Sequence, residues 1–112
     1  MMEHAAPLTE ALFYILLALG VPNHGYGVIQ QVSAMTEGRV VLGPGTLYGA
    51  VSALLEKGWI RLVRAETDAR KKKEYVRTPA GTEALEAETV RLQELLKNAS
   101  QYLRREEKNA HA

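Results

Sequence analysis

Apolar residues return at helical spacing three times in the first half of the chain and once more, over a longer stretch, in the second. The first stripe is Leu8, Leu12, Ile15, Leu16 and Leu19, opening beside a good capping residue, Thr9. Phe13, Tyr14 and Leu17 fall outside that stripe. A helix apolar on more than one face is usually covered on more than one face, so a second contact, with a partner subunit, is expected. Gly20 and Pro22 end the helix. His24-Gly25-Tyr26-Gly27 opens a second helix, predicted to run to about Thr36 on Val28, Ile29, Val32 and Met35, with Gly38 closing it. Arg39-Val40-Val41-Leu42 is a short β-prone run, expected to add a third strand to a small sheet. Pro44 suits the first turn of a third helix, where no N–H is needed. Leu47, Val51, Leu54 and Leu55 form its apolar side and Gly58 lies just past its end.

The period then changes. Trp59 to Glu66 reads as a strand, Thr67-Asp68-Ala69 as a turn, and Lys73 to Arg77 as the return strand. Thr78-Pro79 is a cap followed by a first-position proline, and Glu83 and Glu86 suit the positive end of the helix that follows. Gly81 is a weak point in it. Leu85, Leu92 and Ala99 stand seven apart, as do Leu95 and Tyr102, and Leu96 and Leu103. This is a coiled-coil-like seam on a helix predicted to end near Arg105, with a frayed tail from Glu106. There is too little chain beside the helix to cover the seam, and pairing with a second copy is the simplest cover. Packing on its own domain is the other reading. The predicted architecture is mainly α with a small β wing: a winged helix-turn-helix over 1–77, then a C-terminal dimerisation helix and tail over 78–112.

Charge sharpens this picture. The net charge over 112 residues is only +1. Residues 1–38 hold three acids and no base, whereas 39–77 hold nine Lys or Arg against four acids. Residues 78–112 are again slightly acidic. Positive charge thus gathers where the third helix and the hairpin fall, as an electrostatic footprint for an anionic polymer would. The outward side of the third helix carries Gly45, Thr46, Gly49, Ser52, Ala53 and Glu56. Its first two turns are small and nearly uncharged, which suits a helix end that enters a DNA major groove better than one facing water.

Other chemistry is not indicated. With no cysteine there is no disulfide framework and no thiolate metal site. His4, His24 and His111 are scattered, and Glu83, Glu86 and Glu88 read as helix surface. Gly25-Tyr26-Gly27 and Gly43-Pro44-Gly45 lack the pattern of a phosphate loop. No enzyme, cofactor or metal is expected. The longest apolar run, Ala11 to Leu19, is too short to span a bilayer, and Met1-Met2-Glu3-His4 lacks the positive start of a signal peptide. A cytoplasmic protein without a membrane partner is expected.

The ordered motifs resemble those of the PadR family of bacterial transcriptional regulators, in its short-tailed form. His24-Gly25-Tyr26-Gly27 is similar to the family's glycine-tyrosine motif, and Gly45-Thr46-Leu47-Tyr48 to its recognition-helix signature. Leu54-Leu55-Glu56-Lys57-Gly58-Trp59-Ile60 resembles the approach to the wing. The basic run ending at Tyr75, with Thr78 and Gly81, resembles the marks that close the wing. Gly49 departs from the proline usual after the tyrosine, and Arg77 from a usual aliphatic residue.

The resemblance implies a homodimer whose recognition helices enter successive major grooves of a near-palindromic site, with repression as the family expectation. Thr46, Tyr48 and Ser52 are the polar side chains expected nearest the DNA, and Gly45 lets backbone approach a phosphate. Tyr48 is equally open as a core aromatic with a wet tip, and Tyr26 as a phosphate contact or core. Arg70, Lys71, Lys72 and Lys73 are expected to neutralise phosphates or enter a minor groove, and Arg39 and Arg64 to reach the backbone. No Arg, Asn or Gln occupies the first two turns of the third helix, so modest base readout with a strong charge component is expected. The expected dimer interface is Phe13, Tyr14, Leu17, Leu85, Leu92, Leu95, Leu96, Ala99, Tyr102 and Leu103. Part of it, Tyr14, Leu92, Leu96 and Tyr102, could hold a small apolar effector. A protein-interaction module on the same fold is the alternative, although such a module has no need of a basic wing.

Overall fold

A computed structural model describes residues 6–64 and 73–110. Within them, α1 spans Glu10–Ala18, β1 Asn23–His24, α2 Gly25–Met35, α3 Pro44–Lys57, β2 Ile60–Arg64, β3 Glu74–Arg77 and α4 Pro79–Ala110. Local signals account for most of these boundaries. The Thr9 hydroxyl accepts the Leu12 N–H at 3.2 Å, and His24 Nδ1 accepts the Gly27 N–H at 3.1 Å, so each caps the helix that follows. Gly58 ends α3 in the left-handed region, at φ 74°, which a side chain would resist. The Thr78 hydroxyl accepts the Gly81 N–H at 3.1 Å and donates to the Gly58 carbonyl at 2.6 Å. One side chain therefore fastens the root of α4 to the end of α3.

The stripes of the first three helices converge. Ile15, Leu16, Leu19, Val28, Val32, Leu47, Leu54 and Ile60 are fully buried, and Leu42, Val51 and Leu85 join them in one cluster. Each such side chain contributes about 2 kcal/mol of burial free energy. Gly81, a weak point by helix propensity, is where α4 lies against the main chain entering β2. A Cβ there would collide with the Trp59 carbonyl oxygen. Close packing outweighs the propensity cost of about 1 kcal/mol.

The sheet differs from the sequence expectation. Its order is β1-β3-β2, with both pairs antiparallel. The third strand is not Arg39–Leu42 but the two-residue β1, in which Asn23 pairs with Tyr75 and His24 with Glu74. The 39–42 stretch is drawn elsewhere: Leu42 is buried in the core and the Val40 N–H donates to the Thr36 hydroxyl at 3.0 Å.

Helix α4 changes character along its length. Gly81, Leu85 and Glu88 are buried against the domain, Arg91 is half-buried, and every residue from Leu92 to Ala110 is exposed. The helix continues through Ala110, past Arg105 and the expected fraying at Glu106. Glu88 is not helix surface. At 6% exposure it accepts two donors from Arg91, at 2.6 and 2.8 Å, and the Leu8 N–H at 3.0 Å.

Candidate nucleic-acid interface

Helix α3 is anchored on one side by Leu47, Val51 and Leu54, and its other side faces out. Gly45, Thr46, Tyr48, Gly49 and Ser52 are all exposed there. A Cβ added at Gly45 or Gly49 would meet nothing within 4 Å. The helix runs unbroken through Gly49. Its first turn has no side-chain cap on the N-terminal N–H groups. Those donors and the positive end of the helix dipole therefore lie at an open, sterically unobstructed surface.

Tyr48 satisfies both of its sequence readings in part. A Cβ on Gly25 would come within 3.6 Å of the Tyr48 ring and hydroxyl and 2.9 Å of Leu47 Cδ2. The ring therefore lies along the start of α2 while the residue as a whole remains exposed. Tyr26, one position further on, is exposed on the same helix start. The glycine-tyrosine-glycine motif thus has a packing basis: a Cβ at Gly25 would press on the Leu47 side chain of α3 and force it to shift. At Gly27 a Cβ would collide with the Asn23 side chain.

The wing is built on the β2–β3 pair, in which Ile60 faces Arg77, Arg61 faces Val76 and Leu62 faces Tyr75. An irregularity between Leu62 and Arg64 shifts the register, so that Arg64 pairs with Glu74. Lys73 is exposed at the start of the return strand. Arg70, Lys71 and Lys72, the turn at 67–69 and the side chain of Arg64 lie outside the described residues, as do His4 and His111. Arg61 adds an exposed cation on β2 that the sequence reading passed over, although its place on an alternating strand beside the basic run was the available signal. Arg39 lies on the far side of α3 in the chain, ahead of the wing, and is paired. Its guanidinium donates to both Glu10 carboxylate oxygens, at 3.0 and 3.2 Å, and this hydrogen-bonded pairing raises its pKa. Both partners are largely open to water, so the pair adds little stability.

The residues expected at a dimer interface separate into three groups. Leu85, at 6% exposure, is a correction: it belongs to the core of its own protomer. Phe13 and Tyr14 are half-buried, pack edge to face at 5.7 Å and, with Leu8, Glu88, Arg91 and Leu92, line a cleft of about 220 Å³. Leu17, Leu92, Leu95, Leu96, Ala99, Tyr102 and Leu103 are exposed, Leu96 at 68%. Leu92, Leu96, Ala99 and Leu103 continue the same helix face that Gly81, Leu85 and Glu88 bury lower down. At the junction, Glu88 is held below the usual carboxylate range, chiefly by Arg91 and also by the Leu8 N–H, against the opposing effect of burial.

A helix-turn-helix with its second helix facing outward, followed by a β-hairpin against the same core, defines a winged helix-turn-helix protein. Residues 15–87 match the family model described as the transcriptional regulator PadR-like family, and the chain belongs to that family. Its members are DNA-binding transcriptional regulators, not enzymes. The fold is similar to that of a PadR family transcriptional regulator from Eggerthella lenta, with a TM-score of 0.70 at 19% identity, covering 83% of this chain and 80% of that one. It is also similar to a PadR-like transcription factor from Bacteroides fragilis, with a TM-score of 0.69 at 22% identity over 82% and 88% of the two chains. In sequence, 80 residues are 38% identical to an uncharacterized 37.1 kDa protein in transposon Tn4556 of Streptomyces fradiae. That match takes in 70% of this chain and 22% of the relative, so the chain spans about a fifth of that protein's length. Among the described residues, no helix is long and apolar enough to cross a membrane, and no three His, Asp or Glu side chains gather as a metal site would require.

Proposed function

We propose that the protein is a homodimeric repressor that binds a near-palindromic operator. In this reading α3 of each protomer enters a major groove and the wing neutralises phosphates beside it. The observation that carries the proposal is the outward face of α3, where Gly45, Thr46, Tyr48, Gly49 and Ser52 are exposed on a helix rigidly seated by its other side. Thr46 and Ser52 contact bases or phosphates, Tyr48 and Tyr26 reach the backbone, and Gly45 admits a phosphate to the helix end. Lys73, with Arg64, Arg70, Lys71 and Lys72, supplies charge, and Arg39 contributes where a phosphate displaces Glu10. The exposed stripe from Leu92 to Leu103 pairs with its copy in the partner, and Phe13, Tyr14 and Leu17 border that contact. A small apolar effector entering beside Tyr14 and Leu92 would loosen the same contact and release the DNA.

The test is binding to labelled duplex from upstream of the protein's own gene, beside a scrambled duplex, over a salt series. Selective binding whose log affinity falls linearly with log salt is expected, the slope counting phosphate contacts. Absence of binding to either duplex at low salt would contradict the proposal and favour a protein-interaction module.

A further inference from the structure

Arg77, the last residue of β3, turns its side chain back toward the end of α1 and the root of α4. Its main-chain N–H donates to the Leu19 carbonyl at 2.7 Å. Its Nη1 donates to the Leu16 carbonyl at 2.8 Å, and its Nε to the Thr82 hydroxyl at 2.8 Å. These partners belong to the C-terminal end of α1 and the first turn of α4. One residue of β3 therefore ties three elements together, and only Thr78 separates it from α4. The placement is physically favourable. The last carbonyls of a helix lack intrahelical donors and carry the negative end of its dipole, which a guanidinium satisfies on both counts. The neighbours leave room for it: a Cβ at Gly20 would come 3.4 Å from Arg77 Nη2, and one at Gly81 2.9 Å from Arg77 Cγ. An aliphatic residue at this position would make none of these side-chain bonds.

We propose that Arg77 is a positioning residue that sets the angle between α4 and the DNA-binding domain, and through it the half-site spacing the dimer accepts. The inference rests on the dimeric, two-half-site reading above. Leverage makes a small angle matter. The C-terminal end of α3 meets the root of α4 through Gly58 and Thr78, so the N-terminal turn of α3 stands about 20 Å from the pivot. A tilt of about 10° moves that turn by about 3.5 Å, the rise of one base pair. Two protomers tilting alike change the half-site separation by about two base pairs. A guanidinium with planar, fixed donors holds such an angle better than apolar contacts can.

Two readouts test this on the full-length protein. The chain has no cysteine, so Val41→Cys, exposed just before α3, takes a single spin label per protomer. The distance between labels in the free dimer is expected to be narrow in the otherwise unchanged protein. Arg77→Leu is expected to broaden it or shift it by about 3 Å or more, with helix content and dimerisation retained. Thr82→Val, which removes one acceptor and leaves the α1 contact, produces a smaller change in the same sense, and Arg77→Lys stays closest to the parent. On duplexes whose half-site spacing varies by single base pairs, the parent prefers one spacing by about tenfold, and Arg77→Leu reduces this to about threefold or less. Affinity for an isolated half-site stays the same. An unchanged label distance and an unchanged spacing preference in Arg77→Leu would overturn the proposal. Absence of any inter-protomer distance in the parent would remove the dimer and this inference together. A shifted distance in a protein that binds no duplex would leave the positioning role standing and remove the DNA reading.

Discussion

Helices α3 and α4 both leave the domain with one face uncovered, and the two faces differ in chemistry. That of α3 is small and polar, with glycines at two of its outward positions and hydroxyls at Thr46, Tyr48 and Ser52. That of α4 is large and aliphatic, with Leu92, Leu95, Leu96 and Leu103 open to solvent. Water alone suits neither: a solvated helix carries Lys and Glu outward, and contiguous exposed leucine marks a contact surface. The contrast distinguishes the occupants. A polar, sterically open helix end fits a hydrated polyanion, whereas an apolar stripe continuous with the core fits a second copy of the same stripe.

The comparison can be broken at its foundation, where the expected effect is largest. Leu47 is fully buried and seats α3, so Leu47→Ala is expected to cost about 3 kcal/mol of stability in chemical denaturation, whatever happens to DNA binding. Leu96→Glu touches no core residue of its own protomer and places like charges opposite each other in the dimer. It is expected to weaken self-association about a hundredfold, or about 2.7 kcal/mol, by sedimentation, while the monomer melts as before. A monomer that melts much earlier would mean that α4 packs within its own chain.

A third substitution addresses the junction between the covered and uncovered parts of α4. Glu88 titrates below the ordinary carboxylate value of 4.5, so its contribution is fully present above that pH and is lost as pH falls through its lowered value. Glu88→Gln is expected to destabilise by about 2 kcal/mol at neutral pH, with the gap to the parent closing as pH falls through the lowered Glu88 value. A gap that is the same at pH 7 and at acid pH would place the effect in packing instead of charge. The smallest effect belongs to the α3 face. Ser52→Ala is expected to lower DNA affinity about fivefold, roughly 1 kcal/mol, and to leave the thermal midpoint unchanged. Loss of stability without loss of binding would reverse the assignment of that face.

Much of this was legible in the chain, because the signals were local. Thr9, Pro44, Gly58 and Thr78 mark helix ends by chemistry that acts within one turn. The features that were not legible depend on distant partners. Asn23 and His24 carry no period-two pattern and become a strand only because β3 offers its free edge. Val40 and Val41, with strong β propensity, lie beside α2 and α3 instead, as expected of a propensity that reports packing context. Glu88 looks like any solvent-facing helix carboxylate until the Leu8 N–H, 80 positions away, meets it. Arg77 likewise reads as a departure from a family pattern, and its role depends on carbonyls about 60 positions earlier. On α3, spacing identified Gly45, Thr46, Gly49, Ser52 and Glu56 as outward, whereas Ala53 is half-buried and Leu55, expected on the apolar side, is exposed. The packing of Tyr48 along Gly25 required the tertiary contact.

The central claim is that the polar face of α3 meets DNA and the apolar face of α4 meets a second copy. The most direct measurement is a titration of the isotope-labelled protein with its upstream duplex, followed residue by residue through amide resonances. The account predicts that Gly45, Thr46, Tyr48, Gly49 and Ser52, together with the wing, shift on binding, while Leu92 to Leu103 stay where dimerisation has already put them. Shifts concentrated on α4, with α3 silent, would contradict it.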